Sequence, residues 1–334
     1  MIVSRSRGRR MGGLRLVLAA ALGLVVAGCG GSESGGGAAA GAGAKPEAVT
    51  VGAIPIADVA PLFLGIDKGF FRDEKLNIKT QFAAGGAAIV PSVLSGDFDF
   101  GFSNNVSLFI AQSEGLPLKV VTQGVLGGRD DSEAWADLLV RKDGPVKDAQ
   151  DLEGATVAVN TLKNICEVTI KATLEKEGVD VSTMKFQEIP FPDMNSALES
   201  GQVDAGCQVE PFVALGEQSG LRGVAPFFVG TAPDLSVATY FASQRMIEER
   251  PDVVARFTRA MNRSLDYAAA HPEEVRQIIP EYTEIPPEAS KVITLPRWSS
   301  DMKVGTLETL GAATQKYGLI GSRPNLDELI YTAK

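Results

Sequence analysis

The residues of this chain that could do chemistry are mostly polar groups placed where predicted strands end. Ligands of open α/β sheets lie outside the carboxyl ends of the strands. The groups at those positions are Ala57 and Asp58, Gly85 and Gly86, Ser103 and Asn104, Asn160 and Thr161, and Glu210. Such groups suit the binding of a small polar solute, although Ser, Asn or Thr at a strand-to-helix turn also fits an ordinary helix cap. Capping explains Glu210 least, because it precedes Pro211 at the end of an apolar strand.

Patterns typical of catalysis or metal binding are scarce. The chain has one histidine, His271, which lies at a helix junction before Pro272. It contains no GxSxG, GxxxxGK, CxxC or HExxH motif. We therefore predict a binding protein and not an enzyme, with no catalytic residues, no metal site and no cofactor.

The elements that must position these groups are marked by a repeated phrase. Ser-Gly-x-x-Asp-x-Gly occurs at residues 95–101 and again at 200–206. Each copy follows a helix-like run and precedes a strand-like run, and its first glycine can close the helix in the left-handed conformation. The spacing between the copies, residue 95 to residue 200, matches one lobe of ordinary size. The pattern predicts two similar α/β lobes that face each other across a cleft.

Residues 1–28 are predicted to be an export signal that is not part of the fold. Five arginines precede the apolar run 16–27, which is too short to span a membrane. The run ends in Val26-Ala27-Gly28-Cys29, which is typical of bacterial lipoproteins, in which the cysteine is lipidated and becomes the N-terminus. Residues 29–47 would then be the lipidated Cys29 and a flexible tether rich in Gly and Ala. Arg9-Arg10 leaves open whether export uses the general or the twin-arginine route.

The charge of the mature chain argues against nucleic acid as a partner. The whole chain has 32 basic and 41 acidic side chains, and loss of the five signal arginines leaves 27 basic ones, a formal charge of about −14. We expect a monomer held by its lipid on the extracytoplasmic face of the cell membrane, in the periplasm or at the cell surface. Cys166 and Cys207 are the other two cysteines, and the sequence leaves open whether they form a disulfide.

Several segments together resemble the nitrate/sulfonate/taurine substrate-binding proteins of ABC importers. They are Asp58–Phe71, the phrase at 95–101, Asp151–Gly154 with Val157–Asn160, and Gly201–Ala205 with Glu210-Pro211. The resemblance runs from about Val49 to about Ala268. It implies a periplasmic-binding-protein-like fold of type II, with two α/β lobes joined by two crossing strands around a ligand cleft.

The resemblance also implies where the chain crosses between lobes and which partners it has. The crossings would lie near Val140–Lys142 and Ala238–Ala242, so that residues 48–140 plus 243–334 form lobe I and residues 141–242 form lobe II. The implied partners are a small-molecule solute, an ABC permease and its ATPase.

The sequence thus predicts a lipid-anchored extracytoplasmic receptor of an ABC importer. Its solute would be small and anionic or zwitterionic, of the sulfonate, taurine or nitrate type. Three alternatives stay open: an extracytoplasmic enzyme on the same fold, a binder of a pyrimidine precursor of the thiamine pathway, and a sensor module. The pyrimidine-precursor binders typically carry Trp-x-Pro-Asn-x-x-His after the first strand, which Ile54–Asp58 does not match, and no cluster of basic residues marks an anion site.

Overall fold

A computed structural model describes residues 46–283 and 285–332. The predicted signal peptide, Cys29 and the tether up to residue 45 lie outside the described residues. The first described strand begins at Glu47, one residue before the predicted start of lobe I at residue 48.

The described strands form two five-stranded sheets. The first sheet contains β1 (Glu47–Ala53), β2 (Leu76–Phe82), β3 (Phe100–Asn104), β4 (Leu118–Leu126) and β10 (Ser236–Ser243). The second contains β5 (Ala136–Arg141), β6 (Thr156–Val159), β7 (Lys185–Glu188), β8 (Ala205–Val209) and β9 (Leu221–Gly223). Apolar runs predict every one of these strands except β9, which has only three residues and therefore shows no periodicity.

Helices connect the strands. They are α1 (Ala60–Asp67), α2 (Phe70–Asp73), α3 (Gly86–Ser95), α4 (Asn105–Ser113), α5 (Ile165–Lys176), α6 (Phe191–Glu199), α7 (Phe212–Gln218), α8 (Phe227–Thr231), α9 (Gln244–Glu249), α10 (Pro251–Ala270), α11 (Pro272–Ile278), α12 (Pro280–Thr283), α13 (Val304–Lys316) and α14 (Leu326–Leu329). Helix α10 begins at Pro251, as predicted, and its buried Phe257 stacks on Phe100 of β3 with 3.9 Å between ring centroids. Among the described helices, we find none that is both long and apolar enough to cross a bilayer.

The two sheets have the same strand order. The order is β2-β1-β3-β10-β4 in the first sheet and β7-β6-β8-β5-β9 in the second. In each sheet the first three strands are parallel, and the fourth is antiparallel to both of its neighbours. In the first sheet this fourth strand is β10, which comes from outside the run β1–β4, whereas in the second sheet it is β5, the first of five consecutive strands. Two mixed sheets with this shared order confirm the predicted α/β fold.

The repeated phrase has the same role in both sheets. Its first glycine follows a helix with φ of 89° at Gly96 and 75° at Gly201, in the left-handed region that favours glycine. The Asp99 carboxylate accepts the N–H of Thr50 in β1 at 2.8 Å. The Asp204 carboxylate accepts the N–H of Thr156 in β6, also at 2.8 Å. The phrase therefore shapes the helix-to-strand corner and ties the start of β3 to β1 and the start of β8 to β6.

The two segments that join the sheets run side by side. They comprise residues 127–135 and 224–235, and the N–H of Gly127 donates to the carbonyl of Leu235 at 2.8 Å. By sheet membership, residues 136–140 go with the second sheet and residues 236–242 with the first. The sequence places these boundaries later, because an apolar strand pattern does not show which sheet the strand joins. The division into lobes itself stays a prediction.

Candidate functional site

A small chamber lies between the two sheets, where several strands end. Its volume is about 30 Å³. Its polar lining comprises Asp58, Asn104, Asn160 and Asn164, and its apolar lining includes Ile54, Phe102, Phe191 and Phe228. Three of the residues predicted from strand ends therefore come together here, although they lie up to about 100 positions apart in the sequence.

Asp58 is the ionisable residue of this lining. It lies in a short turn of 3-10 helix, Ala57–Val59, and is 4% exposed. Its Oδ1 has no hydrogen-bond partner among the described residues. Burial raises the pKa of Asp58 to about 8, because removal from water disfavours the charged carboxylate. A cation or a hydrogen-bond donor placed beside this carboxyl would compensate for its desolvation.

Aromatic side chains enclose Asp58. The Trp298 indole N–H donates to the Asp58 carbonyl at 2.9 Å, and the Tyr282 hydroxyl donates to the Ile56 carbonyl at 3.1 Å. The buried Tyr240 hydroxyl has no partner among the described residues. Burial raises the pKa of Tyr240, and the nearby Asp58 carboxyl raises it further. The site thus holds two buried polar groups that the described protein leaves unpaired.

Asn160 links the two sheets, whereas Asn104 caps a helix. The Asn160 amide donates to the carbonyl of Ala84, in the loop after β2, at 3.0 Å. Its oxygen accepts the Asn164 amide at 2.7 Å. Asn104 is the N-cap of α4, and its oxygen accepts the N–H of Ser107 at 3.0 Å. The capping interpretation of Asn104 is therefore correct, and the same side chain also lines the chamber.

Glu210 lies beside the chamber with both carboxylate oxygens occupied. One oxygen accepts the N–H of Thr294 at 2.9 Å, and the other accepts the N–H of Ala214 at 3.1 Å. Its backbone carbonyl accepts the N–H of Ala57 at 2.9 Å. Burial raises the pKa of Glu210 to about 7, although the two backbone N–H groups act in the opposite direction. This geometry makes Glu210 a link between the sheets.

Two of the other predicted residues, Gly85 and Gly86, allow neighbouring segments to approach closely beside the chamber. A Cβ atom on Gly85 would come within 2.8 Å of the Asn160 and Thr161 side chains, and one on Gly86 would come within 2.0 Å of the Ser103 hydroxyl oxygen. Glycine is therefore required for this close approach. Ala57, Gly85, Gly86, Ser103, Thr161 and Glu210 are not part of the chamber lining, and ligand contact by them stays a prediction.

An apolar groove opens beside the chamber. We call it the mouth groove; its volume is about 310 Å³, and it is lined by Ile54, Pro55, Ile56, Phe82, Ala83, Ala84, Pro190, Phe191, Pro192 and Phe212. Phe82 ends β2 of the first sheet, while Phe191 and Phe212 begin helices that follow strands of the second. Ile54, Ile56 and Phe191 line both the chamber and the groove.

A disulfide lies behind the chamber. Cys166, in the first turn of α5, is bonded to Cys207 of β8, with 6.1 Å between their Cα atoms. Cys166 also lines the chamber. The disulfide therefore holds one wall of the site against the second sheet.

The family model described as NMT1/THI5 like matches residues 56–275, which include every residue of the chamber lining except Ile54. The chain belongs to this NMT1/THI5-like family.

Curated proteins of known name are similar to the chain over much of its length. The Bacillus subtilis protein named as binding protein YtlA is 23% identical over 64% of the chain and 63% of its own length. The aliphatic sulfonates-binding protein of the same organism is 24% identical over 83% of the chain and 80% of its own length. A 4-amino-5-hydroxymethyl-2-methylpyrimidine phosphate synthase of Candida albicans is 24% identical over 64% of each chain. The chain thus spans slightly less than two thirds of two of these relatives.

Solved structures show the same fold as this NMT1/THI5-like protein. The ligand-binding component of an ABC-type import system from Staphylococcus aureus has a TM-score of 0.74 at 14% identity and covers 85% of the chain and 96% of its own. The alkanesulfonate-binding protein SsuA from Xanthomonas axonopodis, bound to MOPS, has a TM-score of 0.72 at 17% identity. It covers 87% of the chain and 100% of its own. These similarities confirm the periplasmic-binding-protein-like architecture.

Several lining residues of this family member are not predicted from its sequence. Asn164 caps α5 at the end of a loop whose beginning, Asn160 and Thr161, was predicted. Its position at a strand-to-helix turn is the signal that could have identified it. Phe102 and Phe191 carry no such signal, because buried phenylalanines look the same in a core and in a ligand site.

Proposed function

We propose that the protein is the solute-binding receptor of an ABC importer, held outside the cytoplasm by a lipid on Cys29, and that it binds one small organic solute between its two sheets. The observation that carries the proposal is the buried Asp58 carboxyl. Its Oδ1 has no partner among the described residues, yet the residue lines a chamber that both sheets enclose. A buried polar atom without a partner costs about 1–3 kcal/mol, so such a group is expected where a ligand completes the site.

The lining supports a solute with a positive charge or N–H donors at the end beside Asp58. Among the described residues, no Lys or Arg side chain lines the chamber or the mouth groove. A sulfonate or nitrate would therefore lie next to a carboxyl group without a cation to neutralise it. Of the solute types predicted from the sequence, a zwitterion with its ammonium end at Asp58 suits this lining better than a simple anion.

The pH dependence of binding separates these classes of solute. The pKa of Asp58 is raised to about 8. A cationic head requires the ionised carboxylate, so its affinity should rise with pH up to about 8. An anion requires the protonated carboxyl as a donor, so its affinity should fall as pH rises through the same range. Titration calorimetry between pH 6 and about pH 9 distinguishes the two directions.

The experiment that tests the receptor function is native mass spectrometry of the mature protein, to detect a co-purified solute. A thermal-shift panel with matched alkylamines, amino-sulfonates and alkanesulfonates follows, since a ligand of the folded state raises the melting temperature by mass action. Stabilisation by amine-bearing compounds, lost in Asp58→Asn, supports the proposal. Stabilisation by sulfonates alone, unchanged in Asp58→Asn, would contradict the proposed solute class.

A pyrimidine precursor is a second candidate solute. Asp58 and the chamber asparagines offer acceptors for a ring amine, and Phe102, Phe191 and Phe228 offer apolar walls. An aminopyrimidine in the same thermal-shift panel tests this candidate. Incubation of the bound compound with the protein, followed by mass analysis, would reveal turnover if the protein were an enzyme on this fold.

A further inference from the structure

We infer that the solute has two unlike parts: a small head with a positive charge or N–H donors that enters the chamber beside Asp58, and an apolar body that lies in the mouth groove. This inference rests on the proposed function, because it names the chemical class of solute for the same cleft. It excludes small polar solutes that lack an apolar body.

The chamber alone is too small for an organic solute. Its volume of about 30 Å³ holds roughly two water molecules, since a cavity needs about 10–15 Å³ to hold one. Pockets that hold small organic ligands usually measure about 300–1,000 Å³. The chamber therefore accommodates an ammonium, amine or amide head, and the rest of the molecule requires a neighbouring space.

The mouth groove is that neighbouring space. Its volume is about 310 Å³, and it shares Ile54, Ile56 and Phe191 with the chamber. A solute with its head at Asp58 can thus extend past these shared side chains without leaving the cleft.

The chemistry of the groove matches an apolar body. In the part of the chain that the structure describes, no charged or polar side chain lines it. The rings of Phe191 and Phe212 are nearly parallel, with an interplanar angle of 13° and 6.3 Å between centroids. Phe82, on the opposite sheet, leaves 47% of its surface exposed at the groove. Apolar side chains from both sheets thus line the groove, and an aliphatic or aromatic group bound there would cover the exposed ring of Phe82.

The test uses the full mature chain carrying Cys29→Ala, which removes the predicted lipid site and leaves the described residues unchanged. Fluorescence titration with N-phenyl-1-naphthylamine, an uncharged apolar amine whose emission rises in apolar surroundings, reports on the groove. n-Alkylamines from methylamine to hexylamine, and alkanesulfonates of the same lengths, then compete with the dye. Phe82→Ala is the groove variant, because an exposed side chain can be truncated without loss of folding. Phe186→Ala, a partly buried phenylalanine outside the groove, is the matched control.

We expect saturable binding of the dye and displacement by hexylamine, with affinity rising roughly fourfold for each added methylene, as burial of a CH₂ group implies. Phe82→Ala should weaken the dye and hexylamine about fivefold, as truncation of an aromatic contact does, while Phe186→Ala should not. Absence of dye binding, equal binding by Phe82→Ala, or amine affinity that does not depend on chain length would overturn the inference.

The outcomes also separate this inference from the proposed function. If amines of every length bind equally and Asp58→Asn abolishes their binding, the receptor and its donor-bearing head stand, but the apolar body does not. If amines and sulfonates both bind more tightly with chain length and Asp58→Asn changes neither, the groove holds an apolar body, and the proposed head group is wrong.

Discussion

Glu210 and Thr294 form a hydrogen bond that joins the two sheets: the Thr294 N–H donates to a Glu210 carboxylate oxygen at 2.9 Å. Glu210 directly follows β8 of the second sheet. Thr294 lies three residues before Arg297, which forms a bridge with Leu126 at the end of β4 in the first sheet. Because the second Glu210 oxygen is also occupied, by the N–H of Ala214, the carboxylate acts within the protein.

Glu210→Ala is expected to weaken the link between the sheets. Two buried N–H groups lose their acceptor, which should lower the unfolding free energy by about 2 kcal/mol. The radius of gyration of the solute-free protein, measured by small-angle X-ray scattering, should increase, and solute affinity should fall. Glu210→Gln keeps one acceptor oxygen and should have a smaller effect. The exposed Glu217→Ala is the control, and a Glu210→Ala protein as stable and compact as the wild type would refute the link.

Asp58 should make stability fall as pH rises. Its pKa is about 8 in the folded protein and about 4 when exposed, so between these values the folded state holds a proton that the unfolded state has released. The unfolding free energy therefore decreases with pH across this window and is highest below it. Glu210, with a pKa of about 7, also makes the unfolding free energy fall as pH rises, but it does so mainly below pH 7. The range from about pH 7 to 8 is therefore diagnostic for Asp58.

Urea unfolding at several pH values measures this effect. From about pH 7 to about pH 8, the unfolding free energy of the wild type should fall by roughly 1 kcal/mol, and Asp58→Asn should abolish this fall. Asp193→Asn, at an exposed aspartate, should leave it unchanged. Equal pH slopes in the wild type and Asp58→Asn would show that the carboxyl does not titrate in this range.

The disulfide should stabilise the second sheet and one wall of the chamber. Cys166 and Cys207 are separated by 41 residues, and a crosslink over that separation restricts the unfolded chain by about 4 kcal/mol in the chain-entropy model. The double variant Cys166→Ser, Cys207→Ser should unfold at correspondingly lower urea, and the wild type in reductant should behave in the same way. Peptide mapping with and without reductant checks the pairing. Unchanged unfolding midpoints would contradict this role.

The predicted lipid on Cys29 should decide where the protein is found. Cys29→Ala is expected to release the protein from the membrane fraction, because it removes the cysteine that would carry the lipid. Immunoblots of membrane and soluble fractions, together with the mass of the N-terminal peptide, measure this outcome. The double cysteine variant of the disulfide should stay membrane-bound. Membrane attachment of Cys29→Ala equal to that of the wild type would refute the anchor.

The site was predictable where a local rule applies. Strands end where polar residues follow apolar runs, and parallel strands end at the same edge of a sheet, so Asp58 and Asn104 were expected together. The predicted cleft between two lobes placed Asn160 opposite them, and all three line one chamber. Ligand contact by Glu210 stays a prediction, whereas its hydrogen-bond partner Thr294, 84 residues away, was not predicted. No local pattern reports such a partner.

By itself, the sequence determined the local elements of this protein and one repeated connection. Residues near each other in the chain decide where a strand lies and where a glycine ends a helix, so the phrase that contains Asp99 and Asp204 is readable from spacing alone. Only the tertiary structure decided the insertion of β10 between β3 and β4, the pairing of Cys166 with Cys207, and the meeting of Phe82 with Phe191 at one groove. These contacts join distant parts of the chain, and the packing of both complete sheets selects them.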